Sequence, residues 1–196
     1  MNVPLRSLGM VTTLDEYIRE YNNFVPEILC SNLINKFEVD DRKVEVDREC
    51  RPRWTELNIT EHRDEVDYGE IQEQMQQYFV DAVKLYMEDL QCGYDFPPKY
   101  CFEQYRVKKY RMNTPDQFRE HVDVQDHASA RRFLVVMLYL NSVTRGGETY
   151  FPLLQRKVQP ETGKVLIFPS TWQWRHAGLP VESNHKYILG SYLHYL

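Results

Sequence analysis

From Tyr100 to the carboxyl end, short β-prone runs alternate with turn signals, and that rhythm restricts this half of the chain to a β-sandwich or barrel. The runs are Phe102 to Val107, Phe118 to Val124, Phe133 to Leu140, Lys157 to Gln159, Val165 to Phe168 and Tyr187 to His194. Between them lie Asn113-Thr114-Pro115-Asp116, Arg145-Gly146-Gly147, Gln159 to Gly163 and Glu182-Ser183-Asn184, residues that favour tight turns.

The first hundred residues read differently, as helical support with some strand. The segment Val25 to Phe37 has a proline near its start and apolar residues at three- and four-residue steps. Asp67 to Leu90 places Ile71, Met75, Phe79, Ala82, Val83, Tyr86 and Leu90 on one face, the pattern of a helix packed on a sheet. Gly93 and then Pro97-Pro98 are expected to close it. With 196 residues the chain is expected to form one domain, 1–99 mainly helical support and 100–196 a β-rich core: mostly β with supporting helices.

A formal net charge of −5 gives no basic footprint, so nucleic acid is not an expected partner. Met1 to Ser7 carries no basic head or apolar run, and no stretch approaches the roughly 18 apolar residues of a membrane span. A cytoplasmic chain, monomeric or weakly self-associating, is the expectation. Cys30, Cys50, Cys92 and Cys101 lack CxxC spacing and are expected to be reduced.

Chemistry enters with Phe118-Arg119-Glu120-His121-Val122-Asp123, answered 55 residues later by His176. Two imidazoles and one carboxylate form the donor set of the facial triad that holds non-haem Fe(II) and leaves coordination positions free. On a strand, residues i and i+2 share a side, so His121 and Asp123 can grip one ion. Gly146-Gly147-Glu148-Thr149 lies between two strand-like runs, Pro160 to Ser170 leads to His176, and Lys186 follows ten residues after it.

This ordered series resembles the 2-oxoglutarate and Fe(II)-dependent dioxygenases, in their prolyl 4-hydroxylase-like branch, over residues 100–196. The resemblance implies a double-stranded β-helix (jelly-roll) core with the N-terminal helices packed on it. It implies that His121, Asp123 and His176 hold Fe(II), that Lys186 pairs with the far carboxylate of 2-oxoglutarate, and that Tyr110 adds a hydroxyl beside it. O2 is then the oxidant, ascorbate a further cofactor, and succinate and CO2 are released. The implied substrate is a prolyl residue of a peptide or protein; the alternatives are a free amino acid or other small metabolite, or a non-catalytic jelly-roll binding module. A cupin-like metalloenzyme would have no need of Lys186. The family commonly has glycine where Asn184 stands, and asparagine is expected to keep that turn left-handed. Arg175, Trp174 and Trp54 are candidates to line the substrate site, and Trp172 a weaker one. Gly146 to Thr149 is either a tight turn or part of the site's mouth. Asp126 and His127 read as loop residues, Arg131 and Arg132 as solvated, and His185 as structural.

Overall fold

The computed structural model describes residues 13–48 and 52–196. Cys50 and the Met1 to Ser7 segment lie outside them. The described strands are β1 (Arg19–Tyr21), β2 (Val44–Asp47), β3 (Arg53–Asn58), β4 (Tyr100–Phe102), β5 (Arg106–Tyr110), β6 (Phe118–His121), β7 (Arg132–Tyr139), β8 (Thr149–Phe151), β9 (Arg156–Val158), β10 (Val165–Pro169), β11 (His176–Gly178) and β12 (Lys186–Tyr195). The helices are α1 (Glu27–Val39) and α2 (Val66–Leu90). The large sheet runs β1-β10-β7-β12-β5-β3-β2, with β4 also paired to β12, and the small one β6-β11-β8-β9, all antiparallel. This is the jelly-roll sandwich with helices on its outer face.

Period-two alternation explains how one strand serves two cores. On β7, Leu134, Val136 and Leu138 face the helices, while Val135 and Tyr139 face the small sheet. On β10, Val165 and Ile167 take the first side, Leu166 and Phe168 the second. The helical core closes with Leu33 and Phe37 from α1 and Met75, Phe79, Ala82, Val83 and Tyr86 from α2.

Several boundaries differ from the sequence reading. Helix α2 ends at Leu90 as expected, three residues before Gly93, but its cap is not the expected glycine. Gln91 takes the left-handed conformation at φ 51° and its N–H turns back to the Glu88 carbonyl, so no glycine is needed. The expected strand Phe102 to Val107 is two strands, β4 and β5, which meet β12 at separate points. β1, β2 and β3 come from the supposed helical half and extend the large sheet. β6 stops at His121 rather than Val124, because ladder pairing with β11 ends there and the Asp123 carbonyl is taken by the Arg132 guanidinium at 3.3 Å. Asn184 is not left-handed; its amide donates to the Ser142 carbonyl at 2.9 Å and ties the turn by side chain instead. Cys30, Cys92 and Cys101 are free thiols. No helix among the described residues is long and apolar enough to cross a membrane.

Candidate metal centre

β6 and β11 pair antiparallel with His121 directly opposite His176, which sets two imidazoles side by side on the inner face of the small sheet. Their ring centroids are 4.3 Å apart. Asp123, two residues beyond the end of β6, completes a group whose ligand atoms all lie within 4.8 Å of one another. The juxtaposition therefore arises from a strand end and a bend, not from one continuous strand.

The protonation pattern follows from the partners. His121 Nδ1 lies 2.8 Å from the Arg119 carbonyl and His176 Nδ1 lies 3.1 Å from the Trp174 carbonyl. A carbonyl can only accept, so each Nδ1 carries the proton and each neutral ring turns an Nε2 lone pair inward. Those Nε2 atoms stand 3.8 Å from Asp123 Oδ1 and 3.6 Å from Asp123 Oδ2 respectively. Burial, then the neighbouring His176, pushes His121 down to about 3, so it is neutral at physiological pH. Phe118 stacks on His121 at 3.4 Å between centroids and fixes its plane.

Asp123 is oriented by Tyr192 of β12, whose hydroxyl donates to Oδ1 at 2.8 Å. Burial and the adjacent Asp123 charge hold the Tyr192 phenol well above its ordinary range, so it remains a donor. Oδ2 is buried and has no hydrogen-bond partner. A buried anionic oxygen without a donor is costly, and here it sits between two inward lone pairs. The arrangement supplies acceptors only and fits a divalent cation; two imidazoles with one carboxylate suit iron.

The three residues line a cavity of about 390 Å³ that also reaches Tyr110, Thr149, Gly178 and Lys186. Lys186 is 2% exposed, donates to the Gly147 carbonyl at 2.8 Å and lies 4.5 Å above the Tyr110 ring. No carboxylate pairs with it among the described residues, and burial pushes its ammonium down to about 7. Gly146 and Gly147 both hold positive φ, 72° and 75°. A Cβ on Gly146 would stand 2.4 Å from the Pro180 carbonyl oxygen, so the turn needs glycine there. Gly146-Gly147 is thus a tight turn, and of the four residues Gly146 to Thr149 it is Thr149 that lines the cavity.

The other expected residues divide. Trp54 is a buried wall residue on β3; it packs edge-on to Phe118 at 4.9 Å and lines the cavity. Trp174 does not line it: its ring packs against Tyr17 and its indole N–H donates to the Leu14 carbonyl at 3.0 Å. Arg175 is exposed, outside the cavity, as is Trp172. His185 Nδ1 accepts from the Met112 N–H, a structural bond. Asp126 and His127 are exposed loop residues. Arg132 is not simply solvated: it pairs with Glu103 at 2.7 Å and stacks on Tyr192 at 4.1 Å. Tyr192 and Arg132 are the residues that sequence reasoning missed; Tyr192 alternates in phase with Lys186 and Ile188 along β12, whereas Arg132 lies past a register shift in the β7–β12 pairing, out of phase with the inward residues of β7.

The family model of the 2OG-Fe(II) oxygenase superfamily matches residues 105–194. A protein of Acanthamoeba polyphaga mimivirus, provisionally described as a prolyl 4-hydroxylase, is 39% identical over 69 residues, which are 30% of this chain and 27% of that protein. The chain therefore spans only about a quarter of that relative's length. Among solved structures, a viral collagen prolyl hydroxylase from Paramecium bursaria Chlorella virus-1, in its 2OG complex, superposes with a TM-score of 0.68 at 22% identity, over 92% of this chain and 97% of that one. A prolyl hydroxylase from Trichoplax adhaerens, in complex with a hypoxia-inducible-factor peptide fragment, gives 0.70 at 17% identity, over 91% of this chain and 84% of that one. These two likenesses establish the jelly-roll fold.

Proposed function

We propose that the chain is an Fe(II)- and 2-oxoglutarate-dependent dioxygenase that hydroxylates a prolyl residue of a peptide or protein, a reading supported by the match of residues 105–194 to the 2OG-Fe(II) oxygenase family model. When bound, iron and 2-oxoglutarate supply the oxidation of a substrate C–H by O2, with succinate and CO2 released. The chain's own residues position and insulate that chemistry. His121 and His176 present Nε2 lone pairs already set by their Nδ1–H bonds, so no tautomer change accompanies metal binding. Tyr192 keeps Asp123 Oδ1 occupied and leaves Oδ2 for the metal. Lys186 takes the far carboxylate of 2-oxoglutarate, over the ring of Tyr110. The apolar walls Phe118, Phe168 and Ile188 limit water around the reacting atoms.

The observation that carries this reading is the pairing of two unmet needs in one cavity. Asp123 Oδ2 lacks a partner, and Lys186 lacks a counter-ion. A divalent cation and a dicarboxylate meet both. The prolyl substrate is supported by the prolyl hydroxylases among the relatives and by the peptide held in the Trichoplax structure.

The test is succinate release from 2-oxoglutarate with Fe(II), screened against proline-rich peptides, free amino acids and nucleosides. Peptides should stimulate release and gain one oxygen on proline by mass spectrometry. Stimulation by free amino acids or nucleosides alone would overturn the prolyl reading. Lys186→Ala should raise the 2-oxoglutarate concentration required by about a hundredfold, the size of a broken buried ion pair of about 3 kcal/mol.

A further inference from the structure

Two cations of the cavity lining are left unused by the proposed chemistry, Arg48 and Lys108, and of these Arg48 is exposed to solvent. Arg106, Lys108 and Tyr110 alternate along β5 and all point into the cavity. Glu56, 6% exposed, is satisfied by the Arg106 guanidinium and by the Trp54 indole N–H at 3.1 Å. Glu103 is taken by Arg132. Asp123 faces the metal position, and Lys186 the co-substrate. Lys108 remains.

Its Nζ lies 4.3 Å over the Trp54 ring and 5.9 Å from that of Phe118. Phe118 in turn stacks on His121, so one aromatic ring separates this ammonium from the metal site. Lys186 stands over Tyr110, 3.7 Å from where a Cβ on Gly178 would be, so the two ammoniums occupy different parts of the cavity. Among the described residues no carboxylate lies within ion-pair distance of Lys108. Burial pushes its ammonium down, and Glu56 and Asp123 only partly restore it.

Lys108 is half-buried, and a cation–π contact with Trp54 contributes about 0.5–2 kcal/mol, which does not replace a counter-ion once the side chain is fully covered. A substrate filling the cavity strips away the remaining water and raises the cost of that charge, unless it brings an anion. We infer that Lys108 is a specificity-determining residue that takes a carboxylate of the substrate. In a peptide this is the side chain of an acidic residue flanking the hydroxylated position, one Cα step of about 3.8 Å away. In a small substrate it is the molecule's own α-carboxylate. The inference deepens the proposed function and rests on it for the nature of the reaction.

The test uses the protein loaded with Fe(II) and 2-oxoglutarate. Pentapeptides with central proline are compared in pairs that differ only by Glu against Gln at each flanking position. The same pairs with central alanine, and free proline against prolinamide, complete the set. Binding is measured under argon and hydroxylation in air. The acid should be preferred at least tenfold. Lys108→Met should bring the ratio near one, and Lys108→Glu should invert it in favour of lysine-flanked peptides, a gain that misfolding cannot produce. A preference confined to free proline over prolinamide assigns the carboxylate to a small substrate. A wild-type ratio below twofold, or a preference surviving in Lys108→Met, overturns the inference. Acid preference without hydroxyproline would sink the prolyl reading and keep Lys108; equal hydroxylation of acid and amide peptides does the reverse.

Discussion

The two faces of the large sheet are built from the same strands and do opposite things. Toward the helices, Leu134, Val136, Leu138, Ile167, Leu189 and Leu193 meet Phe79, Val83 and Tyr86 in an apolar layer. Toward the small sheet, Val135, Tyr139, Leu166, Phe168 and Ile188 share their space with buried Asp123, His121, Thr149, His176 and Lys186. The second face carries charges that are unfavourable to bury, and the first supplies the hydrophobic drive that offsets them. Rigidity for the site thus originates on the side of the sheet where no chemistry occurs.

That division can be broken by paired substitutions. Asp123→Ala should reduce iron-dependent turnover of 2-oxoglutarate to background while leaving the metal-free stability within about 1 kcal/mol, since a buried oxygen without a donor is lost along with one hydrogen bond. Phe79→Ala, on the other face, should cost about 3–5 kcal/mol in denaturant unfolding yet leave turnover per folded molecule intact. If Phe79→Ala instead lowers turnover of the folded fraction, the two faces are not separable. Tyr192→Phe sharpens the contrast from within the site. Iron affinity should fall about 10–100-fold, as when a ligand's supporting hydrogen bond is removed, read by competition with a chelator. Unchanged affinity would reduce Tyr192 to a packing residue.

How much of this could be read in the chain follows the same division. The stripe on α2 and the longer strands β7, β10 and β12 declared themselves because the apolar face imposes a period over many residues. Three-residue strands such as β8 and β11 are too short to show alternation, and β1 and β3 are recruited by partners far along the chain, with β2 added to β3. The donors His121, Asp123 and His176 stood out by residue type. Tyr192 did not, because nothing local marks one tyrosine of β12 as the partner of a carboxylate 69 positions away. Trp174 and Arg175 were drawn toward the site by sequence adjacency to His176. The backbone turns between them, sending the indole to Leu14 and the guanidinium to solvent.

The smallest expected effect, and the most specific to the polar face, is on pH. In the metal-free, ligand-free protein the Lys186 ammonium titrates at about 7 against an ordinary 10.5, because burial disfavours its charge. Between those two values the unfolded chain binds more protons than the folded one, so stability must rise with pH there, by up to about 1.4 kcal/mol per unit. Cys30, pushed up to about 11 by burial, opposes the rise once pH passes its ordinary 9. The window free of that opposition is therefore pH 7 to 9, where Lys108, also pushed down by burial, adds to the rise. With Fe(II) and 2-oxoglutarate bound, the carboxylate keeps Lys186 charged and the rise should vanish. Apparent affinity for 2-oxoglutarate should correspondingly fall above about pH 7, toward tenfold per unit, because binding must then return a proton to Lys186. Urea midpoints at pH 7 and 9, with and without ligand, measure the first effect, and calorimetry in buffers of different ionisation enthalpy measures the second. Lys186→Met should abolish the affinity effect and reduce the stability slope to the share of Lys108, whose ammonium burial also pushes down. An undiminished pH slope in Lys186→Met would place the titrating group elsewhere and remove Lys186 from the polar face's account.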